Sequence, residues 1–445
     1  MTETPREAQL SRVPARAKQG RDVPARWAWT EPAVWTARML AALERGVKGG
    51  RWFSLIDKVY SLENLRSSWV KVLRNRGSAG VDRQSVQMFE RRADELLLQL
   101  QRDLKEGRYE PLPALRRWIP KPGTQKMRPL GIPAVRDRIV QGALRNVLEP
   151  LWEAKFAEHS YGFRPGRSCH GALERVVDLL GSGSTWVVDA DIQSYFDTIH
   201  QDRLILEVEK EVADGRVLEL LRRFLKQSVV DGVKEWTPEM GTPQGAVISP
   251  LLANIYLHPV DLAMREAGFE MVRYADDLVI LCRSESEAQE ALAHLRALMV
   301  ERSLTLHPEK TRLVDATVRG GFDFLGYHFE RGMKWPRKKS LAAFRDKIRA
   351  KTRRTVGRSL IAVIQTLNPM LRGWFEYFKL SFHNVFPTMD GFVRRRLRSI
   401  LRKQSKRKRS ARSRGNDNVK WPKAYFRDRG LLCLQDAYAS LCQPR

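Results

Sequence analysis

The chain has 445 residues, of which 43% are hydrophobic, so it can bury a core and is not a wholly disordered protein. Its formal net charge of +28 exceeds what solubility requires and indicates a polyanionic partner, with nucleic acid favoured over a membrane surface. No apolar stretch approaches the roughly 20 residues of a membrane-spanning helix, and the four cysteines form no zinc or CxxC pattern, which favours the reducing cytoplasm.

The N-terminal segment is polar and rich in Pro and Arg up to about residue 30, and it lacks the apolar region of a secretory signal. Aromatic residues then become frequent, which indicates that the chain orders there against the protein body or against RNA. We therefore predict an N-terminal extension over residues 1–50 that is partly mobile.

Helix and strand patterns follow in alternation from about residue 60. In chain order they predict an amphipathic helix in 136–156, a strand in 185–196, two short strands around a tight turn in 271–282, and a helix after the N-cap Ser284. This order predicts an α+β sheet domain with its helices on one side.

The sequence becomes basic and helical from about residue 336, and no acidic residue occurs in 394–414. A charge run of this kind is either a solvated or disordered segment or a contact for nucleic acid. The excess of positive charge elsewhere in the chain favours the nucleic-acid contact.

Two adjacent aspartates, Asp276 and Asp277, interrupt the apolar run "VRYADDLVILC". Asp189 and Asp191 of "VVDADIQSYFD" alternate along a predicted strand and so share one of its faces. Carboxylates brought together destabilise a fold unless a hard divalent cation such as Mg²⁺ binds them. Two such ions about 4 Å apart suit phosphoryl transfer, although an acidic turn alone is usually only a turn.

The motifs "YADD" and "DIQSYFD" resemble the catalytic motifs of reverse transcriptases. The segment "GTPQGAVISPLLANIYLH" is similar to the block that follows the first catalytic strand in group II intron reverse transcriptases and their close bacterial relatives. Further matches occur in the family's order: "NRGSAGVD" (75–82), "IPKPGTQKMRPLGIP" (119–133), "SYGFRPGRSCHGAL" (160–173), "LTLHPEKTRL" (304–313), "FDFLGYHFE" (322–330) and "LNPMLRGWFEYFKL" (367–380). The last of these resembles the thumb, or maturase X, region.

The resemblance implies an α+β right-hand polymerase with fingers, a palm built on an antiparallel sheet, and an α-helical thumb or maturase X domain. The expected divisions are the N-terminal extension (1–50), fingers and palm (51–335), thumb/X domain (336–405) and a basic nucleic-acid-binding tail (406–445). Larger family members carry an HNH-type endonuclease, which we do not expect here because Cys433 and Cys442 lack nearby histidines.

The resemblance also assigns the catalytic metal ligands. Spacing leaves Asp189 and Asp191 open as alternatives, whereas the family pattern selects Asp191 together with Asp276 and Asp277. This triad implies a cofactor of two Mg²⁺ ions, for which Mn²⁺ could substitute.

Five further residues match substrate contacts of the family. Lys121 and Arg128 correspond to fingers residues that clamp the triphosphate, and Gln244 to the residue near the 3′-hydroxyl of the nucleotide. Lys310 would lie near the leaving pyrophosphate as an acid. Phe196 corresponds to the aromatic residue against the incoming sugar, which would favour dNTPs over rNTPs. Outside the family match, Lys121, Arg128 and Lys310 would be ordinary solvated residues and Phe196 a core residue.

Two other residues have open roles. Arg164 could contact the template backbone or cap a loop. Trp374 could be a core aromatic residue or part of an RNA-binding thumb, or both.

The function implied is RNA-directed DNA synthesis from dNTPs at a DNA primer or target. Binding of a group II intron RNA would assist splicing and retrohoming, in a cytoplasmic protein that is nucleoid-associated in a bacterium and binds no membrane. Three alternatives stay open: a maturase acting only as a splicing cofactor, an RNA-dependent RNA polymerase, against which Phe196 argues, and an intron-free relative used in DNA repair or phage defence.

Overall fold

The computed structural model describes residues 25–47, 49–120, 127–355, 357–405 and 413–442. After a short 3-10 turn at Ala25–Trp27, the first part of the chain forms six helices and two strands. These are α1 (Ala37–Arg45), α2 (Ile56–Val59), α3 (Leu62–Asn75), α4 (Val86–Glu90), α5 (Ala93–Lys105), β1 (Ala114–Pro120), β2 (Met127–Ile132) and α6 (Val135–Glu153). The predicted ordering of the aromatic segment is seen at Trp35, which is fully buried and donates from Nε1 to the Asn146 carbonyl at 2.9 Å.

The middle of the chain forms the central sheet and its helices. Its elements are α7 (Cys169–Gly181), β3 (Trp186–Asp191), α8 (Tyr195–Thr198), α9 (Gln201–Glu209), α10 (Gly215–Leu225), β4 (Val229–Asp231), β5 (Lys234–Trp236), α11 (Ser249–Glu266), β6 (Glu270–Tyr274), β7 (Asp277–Cys282), α12 (Glu285–Glu301) and β8 (Arg312–Asp315). The central sheet has the order β6-β7-β3-β8 with antiparallel neighbours. A second sheet has the order β2-β1-β4-β5 and carries the β1–β2 hairpin.

Helices cover both faces of the central sheet, so the expected one-sided arrangement was wrong. Val188 and Ile280 pack in the same core as α12, whereas Val187 and Val279 pack in the core that contains α7. All four residues are fully buried. The strands are therefore apolar on both faces, and each face needs a covering layer. The helix predicted after Ser284 is confirmed, with the Ser284 hydroxyl accepting from the Glu287 amide at 3.2 Å.

The last part of the chain forms a small sheet followed by a helical region. Its elements are β9 (Phe322–Phe324), β10 (Tyr327–Glu330), β11 (Met333–Pro336), α13 (Lys338–Lys351), α14 (Leu360–Phe378), α15 (Val385–Gln404), α16 (Ser413–Lys420), α17 (Lys423–Arg427) and α18 (Leu434–Leu441). Trp374 is mostly buried and stacks on Phe344 at 4.4 Å, so the α13–α14 contact has an aromatic core. Within the described residues, no helix has the length and apolar character needed to span a membrane.

The described part of the C-terminal segment packs on the helical region. Asp390 of α15 is buried and accepts from the Leu434 and Gln435 amides, both at 3.0 Å, which caps the start of α18. The Tyr438 ring stacks on Phe386 at 4.8 Å. These contacts join 413–442 to the thumb-like helices.

Candidate active site

The tandem aspartates lie at a strained hairpin turn. Tyr274 pairs with Asp277, and Ala275 and Asp276 form the two-residue turn between β6 and β7. Ala275 has φ 59°, a conformation that a two-residue hairpin usually gives to glycine. Such strain persists only where surrounding structure imposes it.

A buried arginine holds this turn from behind. The Arg273 guanidinium is 1% exposed and donates to the Ala275 carbonyl at 2.9 Å. It also donates to both carboxylate oxygens of Asp261, at 2.7 and 2.5 Å, and to the Asn254 side chain at 3.0 Å. Because both ions are buried, truncating either would leave an uncompensated charge. The network therefore fixes the backbone that presents Asp276 and Asp277.

The turn also rests against the segment "SYGFRPG". A Cβ atom on Gly162 would lie 2.2 Å from the Ala275 amide nitrogen, so only glycine fits this contact. The Asn254 side chain donates to the Gly162 carbonyl at 2.7 Å, and the Tyr161 amide donates to the Arg273 carbonyl at 2.8 Å. Gly162 is thus part of the support of the acidic turn.

The structure brings the first acidic strand beside this hairpin. Asp191 is the residue paired with Asp277 across β3 and β7. The Nζ atom of Lys310 lies 2.5 Å from the Asp191 carboxylate, and the His307 amide donates to the Asp191 carbonyl at 2.7 Å. Asp191, Asp277 and Lys310 therefore share one face of the sheet.

The alternative carboxylate, Asp189, has a different partner. Its carboxylate is 3.1 Å from the Arg312 guanidinium of β8. Loss of surrounding water raises its pKa, and the Arg312 charge opposes that rise. Asp189 thus lines the same cleft as Asp191 and Asp277, but its carboxylate is ion-paired with Arg312.

The electrostatics of the acidic centre favour a cation. The pKa of Asp277 is raised to about 6, first by loss of surrounding water and then by the negative charges of Asp276 and Asp191. The pKa of Asp276 is also raised, with loss of water again the main cause. Carboxylate oxygens are the donors that Mg²⁺ prefers, so the residue types fit that ion. In this structure, however, no three His, Cys, Asp or Glu side chains among the described residues are arranged to hold a metal ion. The positive charge beside Asp191 is instead that of Lys310.

The acidic face opens into a cleft of about 740 Å³ between the sheet and the helical region. Asp191 and Asp277 line one side, and Tyr377 of α14 lines the other. The Tyr377 hydroxyl donates to the Leu325 carbonyl at 2.8 Å, and the neighbouring Gly326 has φ 83°. The "FLG" turn therefore joins the two walls of the cleft.

Phe196 and Gln244 are brought close together by the loop "GTPQG". Phe196 is half-buried, and its carbonyl accepts from the Thr242 amide at 2.8 Å. The Gln244 side chain donates to both carboxylate oxygens of Asp197 at 3.1 Å. A Cβ atom on Gly241 would lie 2.7 Å from the Phe196 carbonyl oxygen, so the loop can come this close to Phe196 only because residue 241 is glycine.

Arg128, one of the two predicted phosphate contacts, lies on the β1–β2 hairpin. Arg128 is exposed on β2, opposite Ile119. The nearby Gly131 amide donates to the Gln244 carbonyl at 2.7 Å, which anchors the hairpin to the "GTPQG" loop. Lys121 lies outside the described residues.

Arg164 has a structural role. Its side chain is 3% exposed and pairs with Glu153 at 2.8 Å. It also donates to the Ala157 and Ser160 carbonyls at 2.6 Å. Of the two readings open in the sequence, the loop cap is the one these contacts support.

Sequence reasoning missed the residues that hold the acidic turn. Arg273, Asp261 and Asn254 are all buried, and they come from β6 and α11. The available signal was the charge of Arg273 inside the apolar "MVRY" strand, because an arginine there requires a buried partner. Its partners, however, could not be identified from local pattern.

Comparison with known proteins gives two family matches. The family described as "Reverse transcriptase (RNA-dependent DNA polymerase)" matches residues 119–329, and the "Group II intron, maturase-specific domain" matches residues 341–419. Protein YkfC of Escherichia coli (strain K12) is 33% identical over 346 residues, covering 69% of this chain and 86% of that protein.

A second relative and a solved structure extend the comparison. The group II intron-encoded protein LtrA of Lactococcus lactis subsp. cremoris is 41% identical over 169 residues, covering 38% of this chain but only 28% of that protein. A chain of the partial Cas6-RT-Cas1–Cas2 complex is 25% identical, with a TM-score of 0.37, covering 56% of this chain and 41% of that one.

Proposed function

Because the chain belongs to the family of group II intron-encoded reverse transcriptases and maturases, with their right-hand polymerase fold and RNA-directed DNA polymerase activity, we propose that Asp191, Asp276 and Asp277 form its catalytic centre. The reaction joins a dNTP to the 3′-hydroxyl of a DNA primer on an RNA template, with release of pyrophosphate. The observation that carries this proposal is the pairing of Asp191 with Asp277 beside the strained turn that presents Asp276.

Two Mg²⁺ ions, or Mn²⁺ in their place, would be held by the three carboxylates. Binding would require the carboxylates to come closer together than in this structure, and Asp191 would exchange its contact with Lys310 for the cation. Metal chemistry there would activate the primer hydroxyl and neutralise charge on the departing pyrophosphate. The raised pKa values of Asp276 and Asp277 support this, because carboxylates that have lost surrounding water and lie near other negative charges gain stability from a bound cation.

The remaining site residues have proposed substrate roles. Phe196 excludes the 2′-hydroxyl of an rNTP, and Gln244 lies near the sugar. Arg128 and Lys121 contact the triphosphate, for which arginine suits bidentate contact and lysine a point charge. Lys310 donates a proton toward the leaving pyrophosphate, and its contact with Asp191 supports a place in the same centre.

The maturase part of the proposal is that the chain binds a group II intron RNA, assists its splicing and copies it into a DNA target. The maturase-specific domain at 341–419 and the net charge of +28 support this role. The proposed domain divisions are those expected from the sequence. The described part of 406–445 packs on the thumb/X helices, and we propose that this tail also binds nucleic acid.

The decisive experiment uses Asp276→Ala with a primed RNA template, dNTPs and Mg²⁺. We expect wild-type protein to make cDNA and the variant to make none, because one carboxylate of the centre is lost. The same variant should still assist splicing of an intron RNA, since that role needs no carboxylate. Asp94→Ala, which removes an exposed carboxylate paired with Arg66, is the matched control. Equal cDNA from wild type and Asp276→Ala would reject the assigned centre.

A further inference from the structure

Two exposed indole rings flank an arginine on one face of the β2-β1-β4-β5 sheet. Trp118 is 50% exposed and Trp236 is 38% exposed, although large aromatic side chains are usually buried. The Arg116 guanidinium lies 4.8 Å from the Trp236 ring centre and 5.9 Å from that of Trp118. The Trp118 Nε1 donates to the Asp231 carboxylate at 3.0 Å, which fixes the orientation of that indole.

Arg116 has one donor atom that is not satisfied within the described residues. Its Nε atom is shielded from water and forms no hydrogen bond within the described residues. Arg116 forms no ion pair among the described residues, although Asp231 of the paired strand β4 lies on the same face and accepts from the Trp118 indole. A shielded donor of this kind costs free energy unless a ligand satisfies it. In the part of the protein that the structure describes, the side chain therefore has one unsatisfied donor atom and a positive charge that is in no ion pair.

The aromatic face borders a groove of about 290 Å³. Arg116 and Trp236 line one wall, and the "GTPQG" loop, including Gln244, lines the other. The loop is held to the sheet by the bond from the Gly131 amide to the Gln244 carbonyl. The groove is thus continuous with the residues proposed to contact the nucleotide.

We propose that Trp118, Arg116 and Trp236 form a stacking platform for unpaired nucleotides of the RNA template ahead of the copied base. The inference rests on the proposed polymerase function and adds to it a binding site for the single-stranded template. Exposed indoles stack on any base and so tolerate any template sequence. Arg116 contributes a cation for the phosphate backbone while it stacks on the rings. Duplex nucleic acid does not fit this face, because its bases are already stacked on each other.

The test compares two labelled duplexes of a DNA primer and an RNA template, one blunt and one with a 5′ RNA overhang. Dissociation constants are measured by fluorescence anisotropy with full-length protein and without dNTPs, so no catalysis is required. Stacking of one base on an aromatic ring contributes roughly 5- to 150-fold in affinity. We expect wild type to prefer the overhang substrate by about tenfold or more, and the double variant Trp118→Ala/Trp236→Ala to lose that preference.

Three further variants make the result specific. Trp118→Phe/Trp236→Phe should retain most of the preference because phenyl rings also stack, and Arg116→Gln should weaken overhang binding. Phe53→Ala removes another ring, which is 62% exposed and distant in sequence from both tryptophans. This control should leave both dissociation constants unchanged.

The proposal is overturned if the double alanine variant keeps the wild-type preference, or if it loses affinity for blunt and overhang duplexes equally. The second result would mean that the face serves another ligand, such as folded RNA. A wild-type protein that prefers the overhang but makes no cDNA would instead reject the polymerase proposal, so the two failures are distinguishable.

Discussion

The Phe196 ring is half-buried beside Tyr195, with ring centres 5.6 Å apart, on the short helix that follows the strand of Asp191. If the ring lies against the incoming sugar, its bulk excludes a 2′-hydroxyl. We therefore expect Phe196→Ala to raise rNTP incorporation relative to dNTP incorporation by roughly tenfold or more. Single-nucleotide extension kinetics with dNTP and rNTP measure this ratio.

Phe53→Ala is the control for Phe196→Ala, since it removes a ring from an exposed site elsewhere. Unchanged sugar selectivity in Phe196→Ala would leave Phe196 as a plain packing residue. Arg164 differs from Phe196 in what its contacts decide. Both residues stood out by their motif, but only the contacts of Arg164 with Glu153 and two carbonyls separate a structural role from a binding role.

Among the elements, the β6–β7 hairpin depends most on an exact fit. Gly162→Ala would place a Cβ atom 2.2 Å from the Ala275 nitrogen, so the turn must move. Overpacking of this kind costs about 1–3 kcal/mol of stability, and a shift near 1 Å in a catalytic group can cost about 100-fold in rate. We expect the rate of primer extension to fall by about 10- to 100-fold. Thermal melting should show that the variant is still folded.

Gly181→Ala is the matched substitution for this experiment. Gly181 ends α7, and a Cβ atom there would meet no other atom within 4 Å. Primer extension by Gly162→Ala at the rate of Gly181→Ala would show that the support of the turn does not limit activity.

Element boundaries were largely readable from the sequence because their signals are local. The turn at Ala275 and Asp276 and the N-cap at Ser284 follow from neighbouring residue types. The bonds of Arg273 to Asn254 and Asp261 were not readable, because these residues meet only after α11 packs on β6. For the same reason, the ion pair of Asp189 with Arg312 could not be separated from the centre of Asp191 by spacing alone.

In the whole molecule, the central sheet is apolar on both faces, so each face must be packed against other elements. The helical region provides part of that packing. Val187 and Val279 lie in one core with residues of α14 and α15. The local order of strand, turn, strand and helix predicted a one-sided arrangement, because that order shows only the helices next to the strands in sequence. The second layer comes from α7 and from helices far along the chain, whose contribution has no local signature.

Three arginines of the helical region gather around one aromatic ring, an arrangement that suits a polyanionic partner. The guanidinium groups of Arg345, Arg349 and Arg395 lie 5.9, 5.5 and 5.9 Å from the ring centre of Phe392, and like charges gathered around one ring repel one another. Asp346 pairs with Arg349, whereas the Arg345 Nε atom has no hydrogen-bond partner among the described residues. RNA phosphates would neutralise this cluster and release bound counterions.

Removing Arg345 and Arg395 should therefore change the salt dependence of RNA binding more than its sequence preference. We expect the double variant Arg345→Gln/Arg395→Gln to reduce the slope of log affinity against log salt by about 2, since each phosphate that is no longer neutralised lowers the slope by about one. Titrations of a labelled double-stranded RNA at several salt concentrations measure this slope. Arg66→Gln/Arg92→Gln is the control, because these exposed arginines already pair with Asp94 and Glu95. If both double variants lower the slope equally, the positive charge acts as a diffuse field over the whole surface, and the cluster around Phe392 is not a distinct binding site for phosphate.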